Sequence, residues 1–321
     1  MLPIRSLLAA ACLALTTSLA CAQTFPTKPV RIVVPYPAGG AVDNIVRAVA
    51  ERLRDRWSTI VIENKGGGGT QIGTEYVGRA EPDGHTLLAT GMETFAISPF
   101  MNAKLSYDPA AFIPVSGLGY SDQLLIVPAN SPFKSVADVI AAAKKDNGAL
   151  QYGTVGMGGS SHINMVLFES MAGVKLTPVH YRGGAPLVTD LLGGHVPMAF
   201  LSVQLGQQGM AAGLLRPLAF STKARSPRFP DVPTIDESGV KGFEAVSWYG
   251  VFAPAGTPKE IVAAINADLQ KVWVSAEFQE SVVNPRMLGT IAGGPDEFSA
   301  FVKAESDKWK KVVEGAGLKI Q

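Results

Sequence analysis

An α/β fold in two lobes is predicted by three observations. Short apolar, strand-like runs recur along the whole chain with helix-like segments between them, the alternation that builds sheets flanked by helices. A chain of 321 residues is long for one core and comfortable for two domains of about 150 residues each. Three glycine-rich turns each follow directly on a strand-like run and precede a helix start. Between two lobes such turns would face a central cleft.

The elements follow in order. Residues 1–22, MLPIRSLLAAACLALTTSLACA, combine a single Arg5, an apolar run from Leu7 and a small-residue end at Ala20-Cys21-Ala22, the pattern of a secretory signal peptide cleaved after Ala22. No later window approaches the ~18 uninterrupted apolar residues of a spanning helix, so the expectation is a soluble, exported protein. Both cysteines, Cys12 and Cys21, lie in this segment. The mature chain then has no thiol, which excludes disulfides, thiolate catalysis and Cys-based zinc sites. Acylation at Cys21 is disfavoured because Ser18 stands where lipoprotein signals usually carry Leu. Loss of Arg5 takes Lys+Arg from 28 to 27 against 27 Asp+Glu. A neutral mature protein offers no polyanion surface, and no nucleic-acid partner is expected.

Strands are expected at 30–36 (VRIVVPY), 59–64, 85–90, 123–128, 150–155, 196–203, 215–221 and 247–255, in mostly parallel sheets. Ser135 with Asp138, and Thr257 with Pro258 and Glu260, read as helix starts. A helix after Pro295 repeats Phe298, Phe301, Val302, Trp309, Val312 and Val313 at helical spacing, polar only at Glu305, and should pack across a lobe. The runs at 123–128 and 247–255 are candidate hinge strands, each followed by proline-containing turns. They divide the chain into lobe 1, residues 23–124 plus 250–321, and lobe 2, residues 125–249. A linear split near residue 125 is the alternative.

The glycine turns are Gly39-Gly40, KGGGGTQIG at 65–73 and GTVGMGGSSH at 153–162. At strand C-termini and helix N-termini their backbone N–H groups would point outward and favour an anion, with no side chain to block its approach. Each alone is equally an ordinary tight turn; three at one edge point to a shared site. None fits a nucleotide motif: no lysine follows the last glycine of 65–73, and Gly156-x-Gly158 continues to Ser161 instead of a third glycine. Ser160-Ser161-His162 lacks the G-x-S-x-G elbow of a hydrolase and reads as hydrogen-bond donors and a cap. His85, His180 and His195 are scattered, so no metal or other cofactor is expected. Asp43 complements the dipole of the first helix or meets a cationic ligand group; Arg182 forks a ligand carboxylate or is solvated. Tyr181 is a cleft wall or a core tyrosine, and Trp248 and Tyr249 suit hinge packing.

VPYPAGGAVDNIVR (34–47), VIENKGGGGTQIG (61–73), QYGTVGMGGSSHI (151–163), VHYRGGAPLVTDLLGGHV (179–196), RSPRFPDVPTIDESGVKGFEAVSWYGVFAPAGTP (225–258) and AESDKWKKVV (304–313) together resemble the Bug, or tripartite tricarboxylate transporter receptor, family of periplasmic solute-binding proteins. The resemblance covers nearly the whole mature chain. It implies a two-lobed type II periplasmic-binding-protein fold, a small organic carboxylate as ligand, membrane transporter subunits as partners and no catalysis. Carried over by position, it implies ligand contacts from Pro37, Ala38, Gly39 and Gly40, with Thr70 beside them, and from Gly158, Ser160, Ser161 and Tyr181 in the opposite lobe. Relatives often carry an Asp-Asn pair where this chain continues Phe200-Leu201-Ser202-Val203. Ser202 then becomes the polar contact, and the wall suits a dicarboxylic, tricarboxylic or aromatic acid better than an amino acid, whose ammonium needs a carboxylate partner. The rival functions are a ligand sensor signalling to a membrane kinase and a secreted hydrolase built on Ser160 or Ser161 with His162.

Overall fold

The computed structural model describes residues 25–318 apart from 58, 147 and 292; the predicted signal segment, with Cys12 and Cys21, lies outside them. In chain order the strands are β1 (Val30–Val34), β2 (Ile60–Asn64), β3 (Thr86–Gly91), β4 (Phe112–Ser121), β5 (Gln123–Pro128), β6 (Gln151–Thr154), β7 (Thr177–His180), β8 (Ala199–Ser202), β9 (Leu215–Phe220), β10 (Ser247–Pro254) and β11 (Leu288–Gly289). The main helices are α1 (Ala41–Leu53), α2 (Gln71–Gly78), α3 (Val136–Asp146), α4 (Ser160–Ala172), α5 (Gly184–Leu192), α6 (Val203–Ala211), α7 (Lys259–Trp273) and α8 (Pro295–Gly315).

Two sheets result, with orders β11-β4-β10-β3-β1-β2 and β7-β6-β8-β5-β9. VRIVV of β1 sits between parallel β2 and β3, and its near-continuous burial is what a β-branched run flanked on both sides requires. Helix α1 packs on this sheet and on α7 through Val42, Ile45, Val46 and Val49, which fall at helical spacing, and through Leu53. In the second sheet β6 is parallel to β7 and β8. Only Asp122 separates β4 in the first sheet from β5 in the second, and the return runs through residues 221–246 into β10. These two passages leave β5 and β10 antiparallel to their neighbours, because neither strand is reached through a helical crossover. Both sheets are therefore mixed, not mostly parallel as expected.

Strand β4 carries no sequence signal of its own, since Pro114, Gly117 and Gly119 interrupt FIPVSGLGYS and read as breakers. The glycines make room. A Cβ on Gly119, whose φ is +79°, would lie 2.4 Å from the Trp273 ring of α7, so the irregularity where β4 shifts register against Trp248 and Gly250 of β10 requires glycine there.

The helix expected after Pro295 spans 21 residues as α8 and packs against β4 and α4, elements of both sheets. Its one buried acid, Glu305, accepts hydrogen bonds at the same Oε2 from the indoles of Trp248 (3.2 Å) and Trp309 (3.0 Å) and pairs with Lys308. Trp248 opens β10, fully buried against the edges of Phe298 and Phe301. The Ser135 start also forms as expected: its hydroxyl accepts the Asp138 N–H at 3.2 Å and the Asp138 carboxylate accepts the Lys134 N–H at 2.8 Å. Thr257 behaves differently; its hydroxyl donates back to Pro254 O at 2.8 Å and leaves Pro258 at the head of α7.

Candidate functional site

After β1, Pro35 and Pro37 end the ladder and the chain turns through Gly39, φ +83°, into α1. Asp43, 1% exposed in the first turn of α1, accepts the Gly39 N–H (2.8 Å), Arg47 Nε (2.9 Å) and Asn64 Nδ2 (3.0 Å). The same Asn64 amide donates to Tyr36 O at 3.2 Å, so loop 35–40 is tied to the end of β2. Burial raises the Asp43 carboxyl, but the hydrogen bonds from Arg47, Gly39 and Asn64 outweigh it and hold the group below its ordinary value. Asp43 is thus a structural clamp. It also occupies the Gly39 N–H, one of the donors that an anion at this turn would otherwise use.

The second turn, residues 67–70, rises in four successive left-handed residues, Gly67, Gly68, Gly69 and Thr70 at φ +80°, before α2. For a β-branched residue that conformation is strained, and strain of this kind gathers where a site needs a particular side chain. Thr70 is held there by a chain of hydroxyls: Thr94 Oγ1 donates to Thr70 Oγ1 (3.0 Å), Thr90 and Thr94 share a hydrogen bond (2.6 Å), and Thr90 reaches Tyr36 OH (3.3 Å). Because Thr94 donates inward to it, the Thr70 hydroxyl hydrogen has no acceptor among the described residues. Thr70→Gly should relieve about 1 kcal/mol of backbone strain and lose the buried Thr94 hydrogen bond, worth about the same, leaving the thermal midpoint near that of the wild type while affinity for a carboxylate probe falls. Calorimetric unfolding and titration on the same preparation check the two effects separately.

The third turn follows β6. Gly158, φ +75°, brings the second sheet's loop against the first sheet's side: a Cβ there would lie 3.3 Å from Met101 Sδ. Its N–H donates to His162 Nδ1 at 3.0 Å, which caps the turn before α4. Burial, with His180 beside it, pushes the His162 imidazole down to about 4, so the ring is neutral. Ser161, 1% exposed, accepts the Val155 N–H at 2.8 Å. Ser161 and His162 of the Ser-Ser-His run thus each have a local structural partner.

These turns enclose a cavity of about 1010 Å³ between the sheets. Of the sequence candidates, Pro37, Gly40, Thr70 and Gly158 line it. Ala38 and Gly39 lie just outside on the exposed rim, and Ser160 opens α4 behind the lining residues Gly158 and Gly159. Tyr181 donates to Asp190 at 2.7 Å; burial, with that bond beside it, pushes its phenol up to about 12, and it packs with the apolar cluster of Leu187 and Leu191. Ser202 caps α6 by accepting the Leu205 N–H at 3.4 Å. Arg182 is exposed beside the lining residue Gly183. His195 and His180 are exposed, the latter against Thr154 Oγ1 at 3.0 Å, and His85 is buried at the start of β3.

Among the lining residues that were not sequence candidates is one with an ionisable carboxyl. Glu93 follows the C-terminal end of β3, and its Oε2 accepts the Tyr36 hydroxyl hydrogen at 3.2 Å, while the Gly91 N–H donates to the same phenol at 3.1 Å. Burial raises the Glu93 carboxyl despite the hydrogen bonds from its own N–H and from Tyr36. Among the described residues no cluster of His, Cys, Asp or Glu has the arrangement of a metal site. No helix among them is long and apolar enough to cross a membrane.

Residues 45–318 match the model of the tripartite tricarboxylate transporter family receptor. The chain belongs to that family. The receptor is 36% identical over 319 residues to a protein encoded in the tcbD-tcbE intergenic region of a Pseudomonas species, covering 96% of this chain and 93% of the relative. Among solved structures it is similar to Rpa4515 of R. palustris with adipate, at 34% identity and TM-score 0.82, and to the periplasmic binding protein BugD, at 32% identity and TM-score 0.78; each alignment covers 92% of this chain and 100% of the other. The two-sheet architecture of the receptor is the periplasmic binding-protein fold.

Proposed function

We propose that this receptor is exported to the periplasm, captures a small carboxylate between two lobes and delivers it to the membrane subunits of a tripartite transporter. One observation carries the reading: glycine turns heading α1, α2 and α4 converge on one cavity, so that three helix N-termini face the same space. Oriented N–H groups and helix dipoles hold an anion without an arginine, and ordered water completes the shell. Pro37, Gly40, Thr70 and Gly158 are the contacts of the bound acid, and Ser160 and Ser161 set the head of α4 behind them. Lobe 1 is the unit around the first sheet and lobe 2 the unit around the second, with the passages at Asp122 and at 221–246 as the hinge. Closure about it shrinks the cavity around a small ligand and excludes water. Adipate in the related R. palustris protein supports a dicarboxylate as the ligand class. No catalytic step enters this reading.

A thermal-shift panel of aliphatic di- and tricarboxylates, aromatic acids, acidic amino acids and the matching amides tests it. A ligand at about a hundred times its dissociation constant stabilises by about 2.7 kcal/mol, which moves the midpoint by a few degrees at this chain length. The expected result is a shift from an acid that its uncharged amide does not reproduce. Equal shifts from acid and amide, or none from any carboxylate, would overturn the reading.

A further inference from the structure

A receptor for acids carries an acid inside its own cleft. Glu93 lines the same cavity as Gly40 and Thr70, and no ion pair involving it forms among the described residues. The titratable groups that face it are the phenols of Tyr36, at the end of β1, and Tyr249, on β10, with Lys104 exposed at the cavity rim. Burial keeps both phenols protonated and neutral, so neither offsets a carboxylate charge. The remaining neighbours are neutral donors and acceptors: the Thr90, Thr94 and Thr70 hydroxyls and the Gly91 N–H. An ionised dicarboxylate entering this space meets the like charge of a partly buried carboxylate, with exposed Lys104 as the one side-chain cation on the cavity wall among the described residues, and like charges drawn that close raise each other's hold on a proton.

We infer that Glu93 takes up a proton from solvent as a dicarboxylate binds and presents its neutral carboxyl as a hydrogen-bond donor to the ligand. This rests on the carboxylate reading of the cleft and adds to it a ligand class, a dicarboxylate without an ammonium group, and a dependence on pH. The proton forms an O–H bond on a Glu93 carboxyl oxygen and returns to solvent when the ligand leaves, so the step is balanced. The raised carboxyl of the free receptor lowers the cost of that uptake. Neutral Glu93 also frees the Tyr36 hydrogen to turn to Thr90, whose hydrogen bonds on to Thr94 and Thr70 then all run toward the cleft. The hydroxyl chain ends on Thr70 with its hydrogen available to the ligand's other oxygens.

The sign follows from linkage. A group that binds a proton in the complex makes affinity rise as pH falls, by at most about tenfold per unit for a single proton. The test is titration calorimetry of the mature chain with adipate between about pH 6 and pH 8, where both ligand carboxyls are ionised, repeated in buffers of different ionisation enthalpy. Wild type should gain affinity toward the acid end and take up close to one proton per ligand. Glu93→Gln should bind adipate with that slope and uptake abolished, while every other titrating group keeps its contribution. Adipate binding by wild type with a flat pH profile and no proton uptake would overturn this inference and leave the carboxylate reading intact. Tighter binding of glutamate than of glutarate, lost in Glu93→Gln, would also overturn it, because Glu93 would then be ionised against an ammonium. Failure of every dicarboxylate at every pH in both proteins would overturn the inference together with the reading beneath it. Should the variant not fold, the proton count of the wild type alone decides between the first two outcomes.

Discussion

Glu305→Ala is expected to destabilise the receptor by about 3 kcal/mol, because it strands two buried indole N–H donors at once. The Trp248 and Trp309 indoles both donate to Oε2, and both tryptophans are fully buried, so neither N–H reaches water after truncation. Glu305→Gln provides the internal comparison. Its amide oxygen can replace Oε2 for both indoles while its NH2 faces the side where Lys308 approaches, so only the charge assistance and the ion pair are lost, at about 1 kcal/mol. Urea unfolding monitored by tryptophan fluorescence separates the variants. Equal losses from the two would mean that packing volume, not donor satisfaction, is what Glu305 supplies. Since α8 touches elements of both sheets and Trp248 opens the strand that returns to the first, the damage should extend to ligand binding.

Asp43→Ala is the second large effect. It removes the acceptor of the Gly39 N–H, Arg47 and Asn64 at a site 1% exposed, and a loss of about 2–3 kcal/mol is expected. Arg47 is half-exposed and turns to water; the Gly39 turn has no such recourse, so loop 35–40 loosens and carboxylate affinity falls with stability. The pH dependence has a definite sign. The folded-state carboxyl lies below its ordinary value of about 3.9, so its stabilisation is present above that value and is lost as pH falls through the lower folded one. Asp43→Asn should flatten that acid limb. Denaturant midpoints for both proteins from neutral pH into the acid range check it; parallel curves would contradict the clamp.

The fold was legible where a pattern is local. Helix α1 declared itself by Val42, Ile45, Val46 and Val49, and α8 by its apolar stripe with Glu305 as the single interruption. The start of α3 was written in Ser135 and Asp138. Strand β4 was not, because Gly119 answers to Trp273 of α7 and Gly117 to Ile291, each more than 150 positions away in sequence. The antiparallel pairings of β5 and β10 were equally hidden, since they depend on where the chain passes between sheets. The candidate site divides in the same way. Glycine turns after strand runs point to themselves, and Asp43 in the first turn of α1 reads as a dipole complement. Glu93 sits in GMETF without a motif, and its proximity to Tyr36 exists only through the pairing of β1 with β3. A rule for open sheets, that ligands bind beyond the C-terminal ends of strands, would have reached it through β3. Tyr181 and Ser202 carried the opposite risk: polar side chains near an expected cleft, with Asp190 and the head of α6 as their actual partners.

In the proposed function, backbone N–H groups of three turns hold a carboxylate in the cleft. Hydrogen exchange of the mature receptor with and without saturating adipate tests it at the atoms concerned. Slowed exchange concentrated in residues 35–40, 67–71 and 155–160, absent with the diamide, is the result this account requires. Adipate binding that leaves those amides exchanging as before, or that protects a surface away from the cleft, would contradict it.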